Sequence, residues 1–252
     1  MSDPLAPQVP SSAPVTPETP GGFFQNLIDV YFSPREAFTR IVRKPSFVIP
    51  LMAYLVLVLG FTGVWMSKIE PRDFMKMQLE ESGQWDKLAA EQREAVLERA
   101  GQMKTFGWVG PIVFTPLVLL VTAAALMFIF RFFYASEATF RQAFAVVTWT
   151  FFAVGLVTTP LLLLVLQLKG DWNVNPQEAI QANLGLLLDK SEAAKPLWAL
   201  LTSIDVFSLW MVFLLAVGFG VASRKTTGSA LWGVAIPWIL IVLGKVGWAA
   251  MF

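Results

Sequence analysis

Cysteine and histidine are both missing from this 252-residue chain, and each absence removes a class of chemistry. Without cysteine there are no disulfides and no thiolate nucleophiles; without histidine there is no imidazole base, and without either there is no Cys/His metal site. A Ser–His hydrolytic arrangement is excluded as well. Charge is scarce: 15% of the residues are charged, and 19 basic residues stand against 18 acidic ones. A chain so balanced has no electrostatic hold on nucleic acid, whose phosphates call for a basic face. Nothing in the sequence implies a cofactor or a metal.

Apolar residues are what the chain has in excess. They make up 56% of it and give a mean hydropathy of +0.60, too apolar for a soluble domain of this length. The expected fold is all-α: a polytopic integral membrane helical bundle with five transmembrane helices, over about residues 46–67, 108–133, 142–168, 204–223 and 229–250. Each is close to the roughly 20 residues a helix needs to cross hydrocarbon. None alternates as barrel strands do, and backbone groups in lipid must pair within the segment, so helices are the form that fits. Ahead of them, residues 1–22 hold six prolines among Ser, Ala and Thr and are expected to be a disordered tail. This tail lacks the basic start and apolar centre of a signal peptide, so the first span is expected to act as the targeting signal. Three regions result: the tail at 1–22, amphipathic interfacial helices at 23–44, and the membrane domain at 45–252.

With the amino-terminal end inside, Arg35, Arg40, Arg43, Lys44, Arg131, Arg141, Arg224 and Lys225 crowd against span ends, whereas the outer basic residues are spread over two long connections. Basic residues close to span ends govern orientation. The expectation is a cytoplasmic amino terminus, an external carboxyl terminus, and Trp65, Trp108, Trp198 and Trp248 as an aromatic belt near the outer ends.

Before the first span, Phe23, Phe24, Leu27, Ile28 and Tyr31 recur at helical spacing, with Gln25, Asn26 and Asp29 opposite. Ser33 has the form of an N-cap, Pro34 of a first helical residue, and Glu36 of the carboxylate that bonds back to the cap. The second helix carries Ala37, Phe38, Ile41 and Val42 on one stripe, while Arg40, Arg43 and Lys44 point elsewhere and suit anionic headgroups. Two compatible readings stand: the pair lies along the cytoplasmic face of the membrane, or its stripe packs on the ends of the bundle. The same cap, proline and carboxylate spacing at Asn175, Pro176 and Glu178 predicts a helix with Ile180, Leu184, Leu187 and Leu188 on its apolar face. A further helix is expected over Asp86 to Met103, solvated by paired charges or serving a partner.

Within the spans, Pro160 follows Thr158 and Thr159, and Pro237 follows Gly233 by four residues. Each removes one backbone bond and is expected to bend its helix. Ala216, Gly218, Gly220 and Ala222 give the fourth span a small-residue surface, for internal packing or a dimer seam. Asp205 and Lys245 are the charges placed within spans, and two accounts stay open for them. They form an ion pair near the outer surface, or Asp205 caps its helix while Lys245 reaches up to the headgroups. Asp205 is also the only acidic residue within a span, so an intramembrane aspartyl pair is excluded.

The stretch DVYFSPREAF from Asp29 to Phe38, the five-span hydropathy, and SIDVFSLWMVFLLAVGFG from Ser203 to Gly220 together resemble the Ypt/Rab-interacting Yip membrane proteins, in particular their bacterial branch. The resemblance runs from about Phe23 to Phe252. Eukaryotic members carry Asp-Leu-Tyr-Gly-Pro ahead of the bundle; Asp29, Tyr31 and Pro34 are the nearest equivalents, with one extra residue between tyrosine and proline. The resemblance implies an integral membrane protein of the bacterial inner membrane, linked to membrane organisation and without a reaction of its own. On this reading the protein is a scaffold or partner-binding protein, with membrane lipids and a protein partner or second copy as its contacts and no nucleic acid. A small transporter or lipid-translocating protein is the alternative.

Overall fold

A computed structural model describes residues 22–180, 182–188 and 193–251; all of the proline-rich tail except Gly22 lies outside them. The described residues are helical with short connections. Two short helices lead, α1 (Phe23–Phe32) and α2 (Pro34–Arg43), followed by α3 (Val48–Lys68). A connection then carries α4 (Pro71–Glu81), α5 (Ala90–Gly101) and α6 (Met103–Phe106) to α7 (Val109–Tyr134) and α8 (Phe140–Lys169). The single turn α9 (Pro176–Ala179), α10 (Lys195–Thr202), α11 (Val206–Ala222) and α12 (Thr227–Met251) complete the chain.

Local chemistry sets the ends of these helices. Thr139 Oγ1 accepts from the Gln142 N–H at 3.3 Å, and Gln142 Oε1 accepts from the Thr139 N–H at 2.9 Å, a reciprocal pair that starts α8. Gly170, in the left-handed region at φ 67°, stops it 30 residues later. The four longest apolar helices, α3, α7, α8 and α12, are long enough to cross a membrane. The fourth expected span is shorter than its sequence suggests. At 17 residues α11 rises about 25 Å, because Asp205 caps its start and the helix cannot extend back through Ser203 and Ile204.

The centre of the bundle is the first half of α8. Nearly every residue from Ala143 to Gly155 is buried, because α2, α3, α7 and α11 all pack on it. Such a helix is apolar on nearly all sides, with the hydroxyls of Thr148 and Thr150 enclosed in this stretch. Close approach is made possible by glycine: a Cβ at Gly155 would lie 2.6 Å from the Tyr54 ring, and one at Gly233 would lie 2.9 Å from Phe130. Phe47 packs on Phe144 and Tyr54 on Phe151, so α3 runs parallel to α8.

Two expectations for the connecting segments are corrected. The helix expected from Asn175 to Leu188 is only α9 and a separate 3₁₀ turn at Leu184–Leu187. The reason is long-range: Asn183 forms a bridge with Asp205, and the Leu184 N–H donates to the Ile204 carbonyl at 3.3 Å, which holds this backbone extended. Over Asp86 to Met103 the chain forms a 3₁₀ turn at Trp85–Lys87 before α5 begins. Trp65, expected in an interfacial belt, is buried instead. Its ring packs edge-on against Phe74, and its indole N–H donates to the Trp172 carbonyl at 3.0 Å, in a small second core with Met66, Ile69 and Leu166.

Candidate functional site

The motif stretch before α3 is fastened to the bundle through several of its polar groups. Arg40 of α2 reaches back to α1, pairing with the Asp29 carboxylate and donating from Nε to Asn26 Oδ1 at 3.0 Å. The Tyr31 hydroxyl donates to the Ala153 carbonyl of α8 at 2.8 Å, and its ring leans on Trp210 of α11. Burial pushes the Tyr31 phenol above its ordinary range. The chain leaving α2 is tied as well. Gln142 Nε2 donates to the Val42 carbonyl at 3.1 Å and the buried Trp149 indole donates to the Ser46 carbonyl at 2.8 Å. The sequence pattern puts Asn26 on the polar side and Arg40 toward headgroups. Both are internal, and the signal that links them is that Asp29 and Arg40 are the opposite charges facing each other across the Ser33–Pro34 bend.

Apolar contacts explain the depth of this hairpin. Val30, Ala37, Phe38 and Ile41 are buried in the main core. Read forward, the hairpin moves back along α8, with Tyr31 at Ala153, Phe38 beside Val146, and Val42 at Gln142. Since Phe47 meets Phe144, Ala153 lies nine residues, or roughly 13 Å of helical rise, further along α8 than the start of α3. The hairpin therefore packs along the flank of the bundle rather than on its end alone. Gly218 makes room for it: a Cβ there would overlap Val146 and press on Phe38 at 3.2 Å. Gly220 faces the Lys225 carbonyl and Ala230, so the small-residue surface of α11 is filled by this chain's own residues. On α1 the apolar face splits. Phe23 turns inward onto Trp149 and Phe152, while Phe24, Ile28 and Phe32 form an exposed ridge.

Ser33 does not cap through its side chain, which corrects the expected exchange with Glu36. Its backbone N–H closes α1 on the Asp29 carbonyl at 2.8 Å, and its ψ of 59° differs from the 157° and 158° of Thr139 and Asp205, two residues whose side chains do cap an α-helix. Pro34 is the first residue of α2 as expected, and Glu36 is exposed.

At the other end of the bundle α8 and the start of α11 enclose a second polar place. A pocket of about 250 Å³ is lined by Thr158 and Thr159, beside Pro160 of α8, and by Asn183, Thr202 and Asp205. Asp205 Oδ1 accepts from the N–H groups of Phe207 and Ser208 at 2.9 and 3.0 Å, and Oδ2 accepts from the Ser208 hydroxyl. The ion pairs among the described residues do not join Asp205 to Lys245, which is exposed on α12. Of the two accounts, the geometry is that of the cap. Pro237 lies inside α12 four residues after Gly233, which packs on Phe130 and Tyr134 of α7.

A family model described as the Yip1 domain matches residues 28–248, from within α1 to within α12. The chain belongs to the Yip1 domain family. Nothing matches among the curated proteins or the solved structures. In this Yip1 domain the hairpin from Ile28 onward is thus part of the matched unit, and the proline-rich tail is not. Beside the hairpin, α2, the α7–α8 turn and the α11–α12 turn surround a cleft of about 850 Å³. Its lining includes Arg43, Glu137, Thr139, Gln142, Ser223 and Arg224.

Proposed function

We propose that this integral membrane Yip1-domain protein is a non-enzymatic scaffold, which organises membrane by presenting the α1–α2 hairpin to a protein partner or a second copy. The observation that carries the reading is the hairpin itself. Asn26, Asp29, Tyr31 and Arg40 are all engaged in holding it, while the ridge of Phe24, Ile28 and Phe32 is left facing outward. A rigidly held apolar ridge suits recognition, because little ordering cost remains on binding.

Charge supports an orientation. The segments at the hairpin end, 22–47, 131–141 and 223–228, hold eight basic and three acidic residues; those at the other end, 68–108 and 169–204, hold ten and twelve. We assign the hairpin end to the cytoplasmic face of a bacterial inner membrane, and α11 as a fifth crossing extended outward by α10, which also packs on α12.

The test places a photo-crosslinking residue at Phe24, Ile28 or Phe32 of the full chain in native membranes. A discrete adduct of one mass, shared by all three positions and lost in Arg40→Gln, is expected. Adducts to lipid alone would overturn the reading. The helix break at Ser203–Asp205, with the hydroxyls of Thr158, Thr159 and Thr202 and the Asp205 carboxylate around one pocket, favours transport or lipid translocation as the second reading. Purified protein in liposomes is expected to leave lipid scrambling and solute flux at background. Activity that falls in Asp205→Asn would install the second reading.

A further inference from the structure

Three features of the cleft beside α2 have no role in holding the fold. Arg43 and Arg224 line it, both exposed, and neither is in an ion pair among the described residues. Ser223 also lines it and is only 7% exposed, yet its Oγ has no hydrogen-bond partner. A buried hydroxyl left unpaired has lost its water without gaining a partner, and native structures keep few of them without a reason. Two unpaired guanidiniums and an unpaired buried hydroxyl around one space are the donor set for a phosphate. Glu137 is the one carboxylate in the lining, so the lining keeps a net positive charge.

The position of the cleft selects the source of that phosphate. Phe132 and Phe133, in the last turn of α7, are exposed three and two residues before Ala135 in the cleft wall, so apolar surface leads directly to its mouth. The space, about 850 Å³, is of the size that takes a small molecule or headgroup. Ala135 and Arg224 hold φ of 48° and 54°, and among the described residues they are the only non-glycine positions with positive φ. Both turns are thereby bent at the cleft wall.

We propose that this cleft is a binding site for the headgroup phosphate of a phospholipid, held by Arg43 and Arg224 and accepting a hydrogen bond from Ser223, with the acyl chains lying along the end of α7. The site differs from a diffuse basic surface, and it stands whether or not the hairpin ridge binds a partner. Its test uses the full chain in detergent, with thermal stability followed during titration by dioctanoyl phosphatidylglycerol. A saturable rise in Tm is expected, with none from dioctanoylglycerol, which has the same chains and no phosphate. Arg43→Gln and Arg224→Gln, both at exposed positions, are each expected to weaken binding about tenfold, the loss of one charge-assisted contact. Ser223→Ala weakens it less, and Glu137→Gln tightens it. Arg35→Gln and Lys44→Gln remove the same charge outside the cleft and leave affinity within about twofold. Equal weakening by those two would reduce the effect to surface charge and overturn the site. An equal shift from dioctanoylglycerol, or from inorganic phosphate alone, would overturn the phospholipid assignment.

Discussion

The hairpin end of the bundle and the opposite end both carry short helices outside the long apolar ones, and they are held in different ways. At the hairpin end, α2 buries Ala37, Phe38 and Ile41 against α8 and α11, and the polar ties run over long sequence distances, as from Tyr31 to Ala153. At the opposite end, α4 and α5 pack mainly on each other, and their charges pair across exposed surface, Arg72 with Glu94 and Lys104 with Glu70. The Arg40–Asp29 side chains are 15% and 23% exposed, those of Arg72–Glu94 48% and 71%. Exposed pairs are worth little because water and salt screen them, whereas a sheltered pair that loses one member leaves a charge stranded. What separates the two ends is the seat. Gly218 and the small residues of α8 let α2 sink in; nothing comparable receives α5.

That contrast can be broken by substitution, with detergent thermal stability or chemical unfolding as the readout. The largest difference is expected for Phe38→Ala, which empties a fully buried site and costs about 4 kcal/mol. Val96→Ala on the partly buried face of α5 costs about 1 kcal/mol or less. Equal losses would mean that the hairpin is not part of the core. Next come the glycines. Gly218→Leu forces α11 away from Val146 of α8 and from Phe38 of α2 and costs about 3 kcal/mol, while Gly101→Leu, where a Cβ meets nothing within 4 Å, is close to neutral. A tolerated Gly218→Leu would show that the hairpin can lift without harm. The smallest effect belongs to the ion pairs. Arg40→Gln is expected to cost about 2 kcal/mol and to be partly relieved by Asp29→Asn in a double-mutant cycle. Arg72→Gln is expected to cost about 0.5 kcal/mol or less. A cycle in which the Arg40 and Asp29 losses simply add would remove the pair as a fastening.

Much of this was legible in the chain before any tertiary structure. The apolar runs place α3, α7, α8 and α12 within a few residues, since the bilayer asks only for length and uncharged sequence. Pro34 as the first residue of α2 and the bend before it are local chemistry, as is the Asp205 cap. The failures also have a pattern. Asn175 to Leu188 has the spacing of a helix, but pairing with the backbone beside Asp205 overrides it. Ser33 has the composition of a cap, yet closing α1 and opening α2 at one residue sets a ψ that turns its hydroxyl away.

The sequence by itself determined that this is a helical membrane protein, where its long helices lie and which chemistry it lacks, because composition and hydropathy act residue by residue. Only the tertiary structure decided which face of α1 is covered, that Arg40 turns inward to Asp29, and that Arg43, Ser223 and Arg224 share one cleft. Those facts depend on bringing together residues up to 181 positions apart, as Arg43 and Arg224 are, and burial in a packed core is a property of the assembled surfaces rather than of any one segment.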